Sequence, residues 1–342
     1  MNLNKKKSTF VIAEVGINHN GNMNIAKKLI NQAKIAGANA VKFQSYNTDI
    51  LIKKDAPKMD YQKKNDKTKE TQYQMLKRSE LSIDDHKFLI KECKKNKIYF
   101  ISTPYDIDNF NLLIKNKIKL IKIASTDANN LHFLRQIINK NIKLIISTGV
   151  SNLSDLDKIY KDKIIKKNIA KINLLHCISF YPAPVDELNL SVINSLKHRY
   201  KTNVGFSDHT KELITGGLAV IAGAKIIEKH FTFNKNAKGG DHKSSLNFEE
   251  LKEYIANIRI AEQTIGNENK IITKSEKNIK EPMQKSIVAS KDLKRFHKLT
   301  INDLTTMRPG NGIAPLNIDK IIGKKLLKNL KKFDQIKFKF IK

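Results

Sequence analysis

The chain has 342 residues, too many for one compact domain of typical size, which suggests a large domain joined to a smaller one. Its formal net charge is +31, with 64 Lys and Arg against 33 Asp and Glu, so nucleic acid must be considered as a partner. The lysines are spread along the whole chain, however, without a basic arm or an RNA-binding aromatic pattern. We therefore expect no specific nucleic-acid partner, and a nonenzymatic nucleic-acid-binding protein is only a distant alternative.

Cysteine usage and hydropathy indicate the compartment. Cys93 and Cys177 are too few for a disulfide framework, which favours a reducing environment. No stretch approaches the roughly 18 uninterrupted apolar residues of a membrane span. The apolar run near the N-terminus is broken by Glu14 and lacks a small-residue cleavage site, so it is not a signal peptide. We predict a cytoplasmic protein without membrane contact.

Eight short apolar, β-branched runs recur along the chain, and most are followed by an amphipathic segment with helical spacing. The runs are TFVIAEVG from 9, AVKFQ from 40, IYFISTP from 98, LIKIAS from 120, KLIISTG from 143, INLLHC from 172, NVGFSD from 203 and AKIIEKHF from 224. Strand alternating with helix predicts a parallel sheet, and eight units in roughly 260 residues predict a closed (β/α)8 TIM barrel. A doubly wound open sheet is the alternative.

Two polar stretches interrupt this rhythm. Residues 45–82 are longer than a normal strand-to-helix connection, and we expect them to form a lid beside the site, with disorder as the alternative. Residues 265–283 read as a polar linker, after which the chain breaks into short strand and turn pieces. The predicted organisation is a catalytic barrel over 1–264, a linker over 265–283 and a small C-terminal domain over 284–342.

Polar side chains stand at the carboxyl ends of the predicted strands, where barrels of this kind carry their active sites. They are Glu14, Lys42, Gln44, Thr103, Lys122, Ser125, Asp127, Ser147, Ser179, Tyr181, Ser207, Asp208, His209, Glu228 and His230. A charge inside an apolar strand is costly unless it is paired or bound. A local salt bridge would explain any one of these residues, but their convergence predicts a site.

The lysines and hydroxyls of this set suit a phosphate. Lys42 and Lys122 lie on different strands and supply charge, while hydroxyl groups supply directional donors. The hydroxyls belong to Thr103, Ser125, Ser147 and Ser207. Alternatively Lys122 forms a Schiff base, as in some barrel aldolases, although the number of hydroxyls favours phosphate.

The histidines divide into three kinds. His209 and His230 end neighbouring strands and are predicted to share a divalent ion such as Mn²⁺, with Mg²⁺ or Co²⁺ as alternatives. We expect no cysteine at the site, which argues against a structural zinc. Glu14, Glu228 and Asp241 are candidates for further ligands, for partners of the ligands or for bases. His176 is expected in the core, and His19 in a loop facing the site.

The motifs resemble those of the bacterial sialic acid synthase family. In order, they are IAEVGINHNG, AVKFQ, ISTPYD, IKIAS, ISTGV, LLHCISFYPAP, GFSDHT, IIEKHFT and GGDHKSSL. The tail SIVASKDL...MRPGNGIAP is similar to the C-terminal antifreeze-like (SAF, β-clip) domain of that family. The resemblance runs from about residue 8 through nearly the whole chain.

The resemblance implies a metal-dependent transferase that condenses phosphoenolpyruvate with an N-acetylated hexosamine. Phosphoenolpyruvate would be held by Lys42, Thr103, Lys122, Ser125, Ser147 and Ser207. The metal would be held by His209 and His230, while Glu14 or Asp127 would orient or deprotonate a water molecule. The sugar would contact Gln44, Ser179, Tyr181, Asp241 and, from the partner chain of a domain-swapped homodimer, Arg308.

The acceptor is the part of the resemblance that stays open. Asp127 stands where members often have Glu, and Ser179 replaces an Asn found in some N-acetylneuraminate synthases. GINHNG and GGDHKSSL are closer to N-acetylneuraminate or legionaminate synthases than to pseudaminate synthases. The implied acceptors are N-acetylmannosamine and 2,4-diacetamido-2,4,6-trideoxymannose. A pseudaminate synthase, or another synthase condensing phosphoenolpyruvate to a 2-keto sugar acid, is the alternative.

Overall fold

A computed structural model of the chain describes residues 8–65 and 68–342. The chain divides into two compact units, with the division between Gly266 and Asn267. Within the described ranges, no helix is both long and apolar enough to cross a membrane.

The first unit is built on eight parallel strands. Their bounds are β1 Phe10–Gly16, β2 Ala40–Ser45, β3 Tyr99–Pro104, β4 Leu120–Ile123, β5 Lys143–Ser147, β6 Ile172–Cys177, β7 Val204–Asp208 and β8 Ile226–His230. Their order in the sheet is β3-β2-β1-β8-β7-β6-β5-β4, and β3 also lies against β4, so that the sheet closes. The prediction of a (β/α)8 barrel is confirmed, and the open sheet is wrong.

Side-chain alternation divides each strand between two cores. In β1, Val11 and Ala13 pack outward with the helices, whereas Phe10 and Ile12 belong to a separate cluster that fills the barrel. Because successive side chains of a strand point to opposite faces, Glu14 continues the inward series of Phe10 and Ile12. The inward cluster is completed by Ala40, Ile101, Leu120, Ile145, Leu175 and Ile226. The residue two positions after each of these apolar residues therefore forms the floor of a site.

Twelve α-helices belong to this unit, as far as the structure describes it. They are α1 Met23–Ile35, α2 Thr48–Leu51, α3 Asp60–Asn65, α4 Gln72–Lys77, α5 Ile83–Lys95, α6 Ile107–Lys115, α7 Leu131–Ile137, α8 Leu153–Lys161, α9 Lys163–Lys167, α10 Val192–Tyr200, α11 Thr215–Ile221 and α12 Phe248–Ile265. Local signals start several of them. Ser82 and Asp85 form a capping box at α5, and Asn247 and Glu250 form one at α12.

The segment between β2 and α5 contains the short helices α2, α3 and α4, and we call it the β2–α5 segment. Met75 of α4 is buried in a small apolar cluster with Ile17 and Tyr46. Thr71 and Gln74 cap the start of α4. The predicted lid is thus partly helical, and it packs on the barrel through its own small core.

The second unit contains helix α13 Lys274–Met283 and the antiparallel strands β9 Ser286–Ala289 and β10 Leu304–Met307. Its own apolar core includes Ile287, Leu299, Ile321 and Leu326. The predicted linker over 265–283 thus contains a helix over 274–283. A capping box of Thr273 and Glu276 starts that helix.

Candidate active site

A cavity of about 700 Å³ opens at the carboxyl ends of the strands. It is lined by 14 of the 15 residues predicted to hold phosphoenolpyruvate, the metal or the sugar, or to orient the water molecule. These are Glu14, Lys42, Gln44, Thr103, Lys122, Ser125, Asp127, Ser147, Ser179, Tyr181, Ser207, His209, His230 and Asp241. The exception is Arg308, which is exposed and belongs to the second unit.

Charges of opposite sign alternate across the floor of the cavity. Lys42 Nζ lies 3.0 Å from Glu14 Oε1 and 3.7 Å from Glu228 Oε2. Lys122 Nζ lies 3.8 Å from the other carboxylate oxygen, Oε1, of Glu228. All four side chains are buried. The partner that each strand charge requires is therefore another strand charge, and Glu228, to which no single role was given, joins the two lysines.

The two carboxylates of the floor have opposite protonation tendencies. Burial raises the pKa of Glu14 to about 7, despite the opposing effect of Lys42. Burial acts on Glu228 in the same direction, but Lys122 and Lys42 outweigh it and lower its pKa to about 2. Oε2 of Glu14 and Oε2 of Glu228 both lack a hydrogen-bond partner among the described residues, but Glu228 Oε2 lies 3.7 Å from Lys42 Nζ and Glu228 Oε1 accepts from Ser207. Glu14 is thus the more readily protonated of the two carboxylates, and its Oε2 is open to a ligand or a water molecule.

Hydroxyl groups surround the two ammonium groups. Lys42 Nζ donates to Thr103 Oγ1 at 3.1 Å, and Lys122 Nζ donates to Ser147 Oγ at 2.6 Å. Ser207 Oγ donates to Glu228 Oε1 at 3.0 Å. Two lysines and three hydroxyls from five strands therefore face one space, the donor set that an anion with several oxygens requires.

Gly149 keeps part of that space open. Its backbone N–H donates to Ser125 Oγ at 3.0 Å. A Cβ at this position would stand 2.0 Å from Ser179 Oγ and 2.8 Å from Ser125 Oγ. Only glycine lets the chain after β5 approach both serines this closely.

The two histidines predicted to bind a metal lie side by side, with ring centroids 5.5 Å apart. His209 Nδ1 donates to the carbonyl of Ile178 at 2.7 Å, which leaves Nε2 directed to the cavity side near Ser207. Nδ1 of His230 is buried, and the described part of the chain offers it no hydrogen-bond partner. Burial, His209 and Lys42 hold the pKa of His230 well below its usual range, so the ring is neutral. The pair fits a divalent ion that takes its remaining ligands from substrate and water.

The sequence left three roles open for Glu14, Glu228 and Asp241, namely further metal ligands, partners of the ligands or bases. In the described ranges, no group of three or more His, Cys, Asp or Glu side chains is placed to hold an ion. The expectation that no cysteine lies at the site is wrong, because Cys177 lines the cavity with Sγ 3.8 Å from His209 Nδ1.

Aromatic rings form one wall of the cavity. Tyr181 stacks on His209 with ring centroids 4.1 Å apart, and its edge approaches His230 at 5.6 Å. On its other side it stacks on Tyr61 at 4.9 Å. Tyr61 comes from α3, and no motif in the sequence predicted a role for it.

Other lining residues that sequence reasoning missed also come from the β2–α5 segment. They are Ile50, Leu51, Ile52, Met59, Gln62, Gln72 and Leu76. The only signal for them was the length of the segment. Of the remaining histidines, His176 is buried and bonds the carbonyl of Leu188, as expected for a core residue. His19 was predicted to face the site, but it is buried, accepts from the N–H of Gly21 and is not among the residues that line the cavity.

Comparison with known proteins places the chain in a family. The NeuB family matches residues 29–270, and the SAF domain matches residues 284–341. The chain belongs to the NeuB family and carries a C-terminal SAF domain, which confirms the resemblance found in the motifs.

Named relatives extend over almost the whole chain. It is 42% identical over 334 residues to N,N'-diacetyllegionaminic acid synthase of Campylobacter jejuni, covering 97% of this chain and 99% of that protein. It is 39% identical to the enzyme of the same name from Legionella pneumophila, covering 94% and 91%. The crystal structure of N-acetylneuraminic acid synthetase from Leptospira borgpetersenii matches with a TM-score of 0.69 at 32% identity, over 79% of this chain and 90% of that one. These relatives are acid synthases, and this chain is accordingly an enzyme.

Proposed function

We propose that the cavity condenses phosphoenolpyruvate with the open-chain aldehyde of an acetamido sugar, giving a nine-carbon 2-keto acid and inorganic phosphate. The observation that carries the proposal is the convergence of Lys42, Lys122 and their hydroxyl partners on one buried floor. This set suits the phosphate and carboxylate of phosphoenolpyruvate. Membership of the NeuB family and the names of the relatives support the same chemistry.

The reaction balances without an external oxidant or reductant. C3 of phosphoenolpyruvate bonds to the aldehyde carbon, whose oxygen takes up a proton and becomes a hydroxyl. Water adds at C2, and the tetrahedral carbon then expels phosphate to leave a ketone. Lys42 and Lys122 would hold the phosphate and stabilise the negative charge that it carries away. This leaving group favours a phosphate-binding role for Lys122 over a Schiff base.

Glu14 is the better placed of the two carboxylates proposed to orient or deprotonate the water. Its Oε2 is buried and has no partner within the described ranges, whereas Asp127 Oδ1 accepts from Asn130 Nδ2 at 2.9 Å. Gln44 Nε2 lies 3.4 Å from Glu14 Oε1, so the sugar side of the cavity adjoins this carboxylate. The positioned carboxylate would accelerate the reaction about 10²–10⁴-fold.

His209 and His230 would hold the divalent ion, which we propose to be Mn²⁺, with Mg²⁺ or Co²⁺ as substitutes. When bound, the ion supplies a positive charge that polarises the carbonyl oxygen of the aldehyde. Tyr181 stacks on His209 and would fix the orientation of that ring toward the sugar. Removing the ion with a chelator should stop phosphate release.

The proposed acceptor is 2,4-diacetamido-2,4,6-trideoxymannose, which would give N,N'-diacetyllegionaminate. Two relatives are legionaminic acid synthases, and the β2–α5 segment contributes apolar wall residues to the cavity. They include Leu51, Ile52, Met59 and Leu76, beside the polar Gln62 and Gln72. An apolar wall suits a methyl group at C6 and a second acetyl group better than the hydroxyl groups of N-acetylmannosamine. N-acetylmannosamine, giving N-acetylneuraminate, is the second acceptor to test.

We further propose that the enzyme works as a cytoplasmic, domain-swapped homodimer. Arg308 of the second unit is exposed and would complete the sugar site of the partner chain. Arg308→Ala should then raise the KM for the acceptor. The swap is tested in a heterodimer of one Glu14→Gln chain and one Arg308→Ala chain. If the dimer is swapped, the intact cavity of the Arg308→Ala chain receives the intact Arg308 of the other chain, and the heterodimer is active. If it is not swapped, neither cavity is complete, and the heterodimer is inactive.

The test of the function is phosphate release from phosphoenolpyruvate with a panel of acceptors. We expect release with 2,4-diacetamido-2,4,6-trideoxymannose that requires a divalent ion and is lost in His230→Ala. Turnover only with the pseudaminate precursor, 2,4-diacetamido-2,4,6-trideoxyaltrose, would make the protein a pseudaminate synthase. Turnover only with arabinose 5-phosphate or erythrose 4-phosphate would indicate a synthase for shorter sugars. Absence of release from the whole panel would refute the proposed condensation.

A further inference from the structure

We propose that Tyr61 is a specificity-determining residue that, together with Asp241, recognises an acetamido group of the acceptor sugar. The inference rests on the proposed condensation and names the part of the acceptor that this chain selects. Tyr61 lies on α3 of the β2–α5 segment, outside the barrel strands that supply the lysines and histidines.

Two sets of contacts position the part of α3 that carries Tyr61, one made by the side chain of Gln62 and the other by packing against Gly240. Gln62 Nε2 donates to the hydroxyl oxygen of Tyr61 at 3.2 Å, and Gln62 Oε1 accepts from the N–H of Met59 at 3.1 Å. The same segment packs closely on the loop that carries Asp241. The position of a Cβ at Gly240 lies 3.0 Å from Gln62 Cγ and 3.2 Å from Met75 Sδ, which leaves little room for a side chain. The side chains of Gln62 and Met75 therefore pack against the backbone just before Asp241, which places the residue after Tyr61 beside the residue before Asp241.

The ring of Tyr61 continues the aromatic wall that leads to the metal-binding pair. It stacks on Tyr181 at 4.9 Å, and Tyr181 stacks on His209 at 4.1 Å. A sugar whose aldehyde carbon lies at His209 and His230 extends along this wall. Its acetamido methyl group then meets aromatic surface, which suits an apolar group.

The polar atoms at the end of the wall match an amide. The hydroxyl of Tyr61 donates to Asp241 Oδ1 at 3.4 Å, which is long for a hydrogen bond between two oxygens. Both groups can therefore exchange this weak contact for a ligand. Asp241 would accept the N–H of an acetamido group, and the Tyr61 hydroxyl would donate to its carbonyl. A hydroxyl group at the same carbon of the sugar offers neither the carbonyl nor the methyl.

The experiment compares Tyr61→Phe and Tyr61→Ala with wild type and with Tyr73→Phe. Tyr73 is the matched control, because it belongs to the same segment, is not among the cavity-lining residues and donates its hydroxyl to Asp49 at 2.5 Å. Steady-state phosphate release gives KM for each substrate. Selectivity is the ratio of kcat/KM for two acceptors. One acceptor carries both acetamido groups, and the other carries a hydroxyl group in place of one of them.

We expect Tyr61→Phe to raise the KM for the diacetamido acceptor about tenfold, and Tyr61→Ala more, with the KM for phosphoenolpyruvate unchanged. The preference for acetamido over hydroxyl should fall by a similar factor, and Tyr73→Phe should match wild type. Equal effects on both KM values, or unchanged selectivity in both variants, would overturn the proposal. If wild type releases no phosphate with any acceptor, the proposed function fails. In that case, isothermal titration calorimetry measures the Kd of the two sugars for wild type and for Tyr61→Phe. A preference of wild type for the acetamido sugar that Tyr61→Phe loses supports the role of Tyr61, and equal preferences overturn it.

Discussion

The ion pair between Asp208 and Lys229 permits a quantitative prediction about what holds the barrel together. Lys229 Nζ lies 3.1 Å from Asp208 Oδ1, and neither side chain is exposed. These residues precede His209 and His230 directly, on β7 and β8. Asp208 also accepts from the hydroxyls of Thr215 at 2.5 Å and Tyr254 at 2.7 Å. The carboxylate is therefore ionised in a dry setting and needs its cation.

Replacing Lys229 with Met removes the cation and leaves the buried carboxylate with only neutral donors. Breaking a buried ion pair from one side costs about 3–5 kcal/mol, so we expect Lys229→Met to destabilise the first unit by that amount. The double variant with Asp208→Asn should recover about 1–3 kcal/mol, because no uncompensated charge remains. For a unit of this size, the single change should lower the Tm by about 10 °C.

The assay is urea unfolding followed by far-ultraviolet circular dichroism, since the chain contains no Trp for fluorescence. Lys235→Met is the control. Lys235 Nζ pairs with Glu250 Oε1 at 2.7 Å, but both side chains are about one-third exposed. An exposed pair contributes about 0–1 kcal/mol. If Lys229→Met cost no more than Lys235→Met, the argument that the buried pair joins the ends of β7 and β8 would be refuted.

Three further predictions concern the floor of the cavity and the second unit. Glu14→Gln should keep the circular dichroism spectrum of wild type and lower kcat by about 10²–10⁴, and turnover near that of wild type would remove Glu14 from the reaction. Gly149→Ala should raise the KM for phosphoenolpyruvate at least about tenfold, because the new Cβ would overlap Ser179 Oγ and displace Ser125; an unchanged KM would contradict a phosphate site there. In the second unit, burial opposes the ionisation of Asp303, but His297, Thr300 and Lys291 hold its pKa well below the usual range. Because the pKa of the folded state is the lower one, this stabilisation is present above the unfolded pKa of about 3.9 and is lost as the pH falls below it. Acid titration of the full-length protein should therefore show a steeper loss of second-unit stability in wild type than in Asp303→Asn, and parallel curves would contradict this.

Much of the barrel and its floor could be predicted from the sequence because both follow from strand periodicity. The inward apolar residue of a strand and the polar residue two positions later lie on the same face of that strand, as in Ile12 and Glu14 or Leu120 and Lys122. Cys177 obeys the same rule after Leu175, and attention to alternation would have placed it at the site.

The residues contributed by the β2–α5 segment could not be predicted in this way. Tyr61 lies on a six-residue helix within a polar stretch, where periodicity carries no information. Its position depends on contacts with Tyr181 and Asp241, which are more than 100 residues away in the chain. Helix α13 was missed for another reason, because its polar composition hid a capping box that the sequence does contain.

The proposed condensation joins intact phosphoenolpyruvate to an acetamido aldehyde and expels phosphate from C2. It is tested most directly with phosphoenolpyruvate labelled with ¹⁸O at the oxygen that bridges C2 and phosphorus, incubated with 2,4-diacetamido-2,4,6-trideoxymannose and the divalent ion. We expect the label to leave in the phosphate and the new keto oxygen to come from water. Label retained in the keto acid, or a product formed from pyruvate without phosphoenolpyruvate, would contradict it.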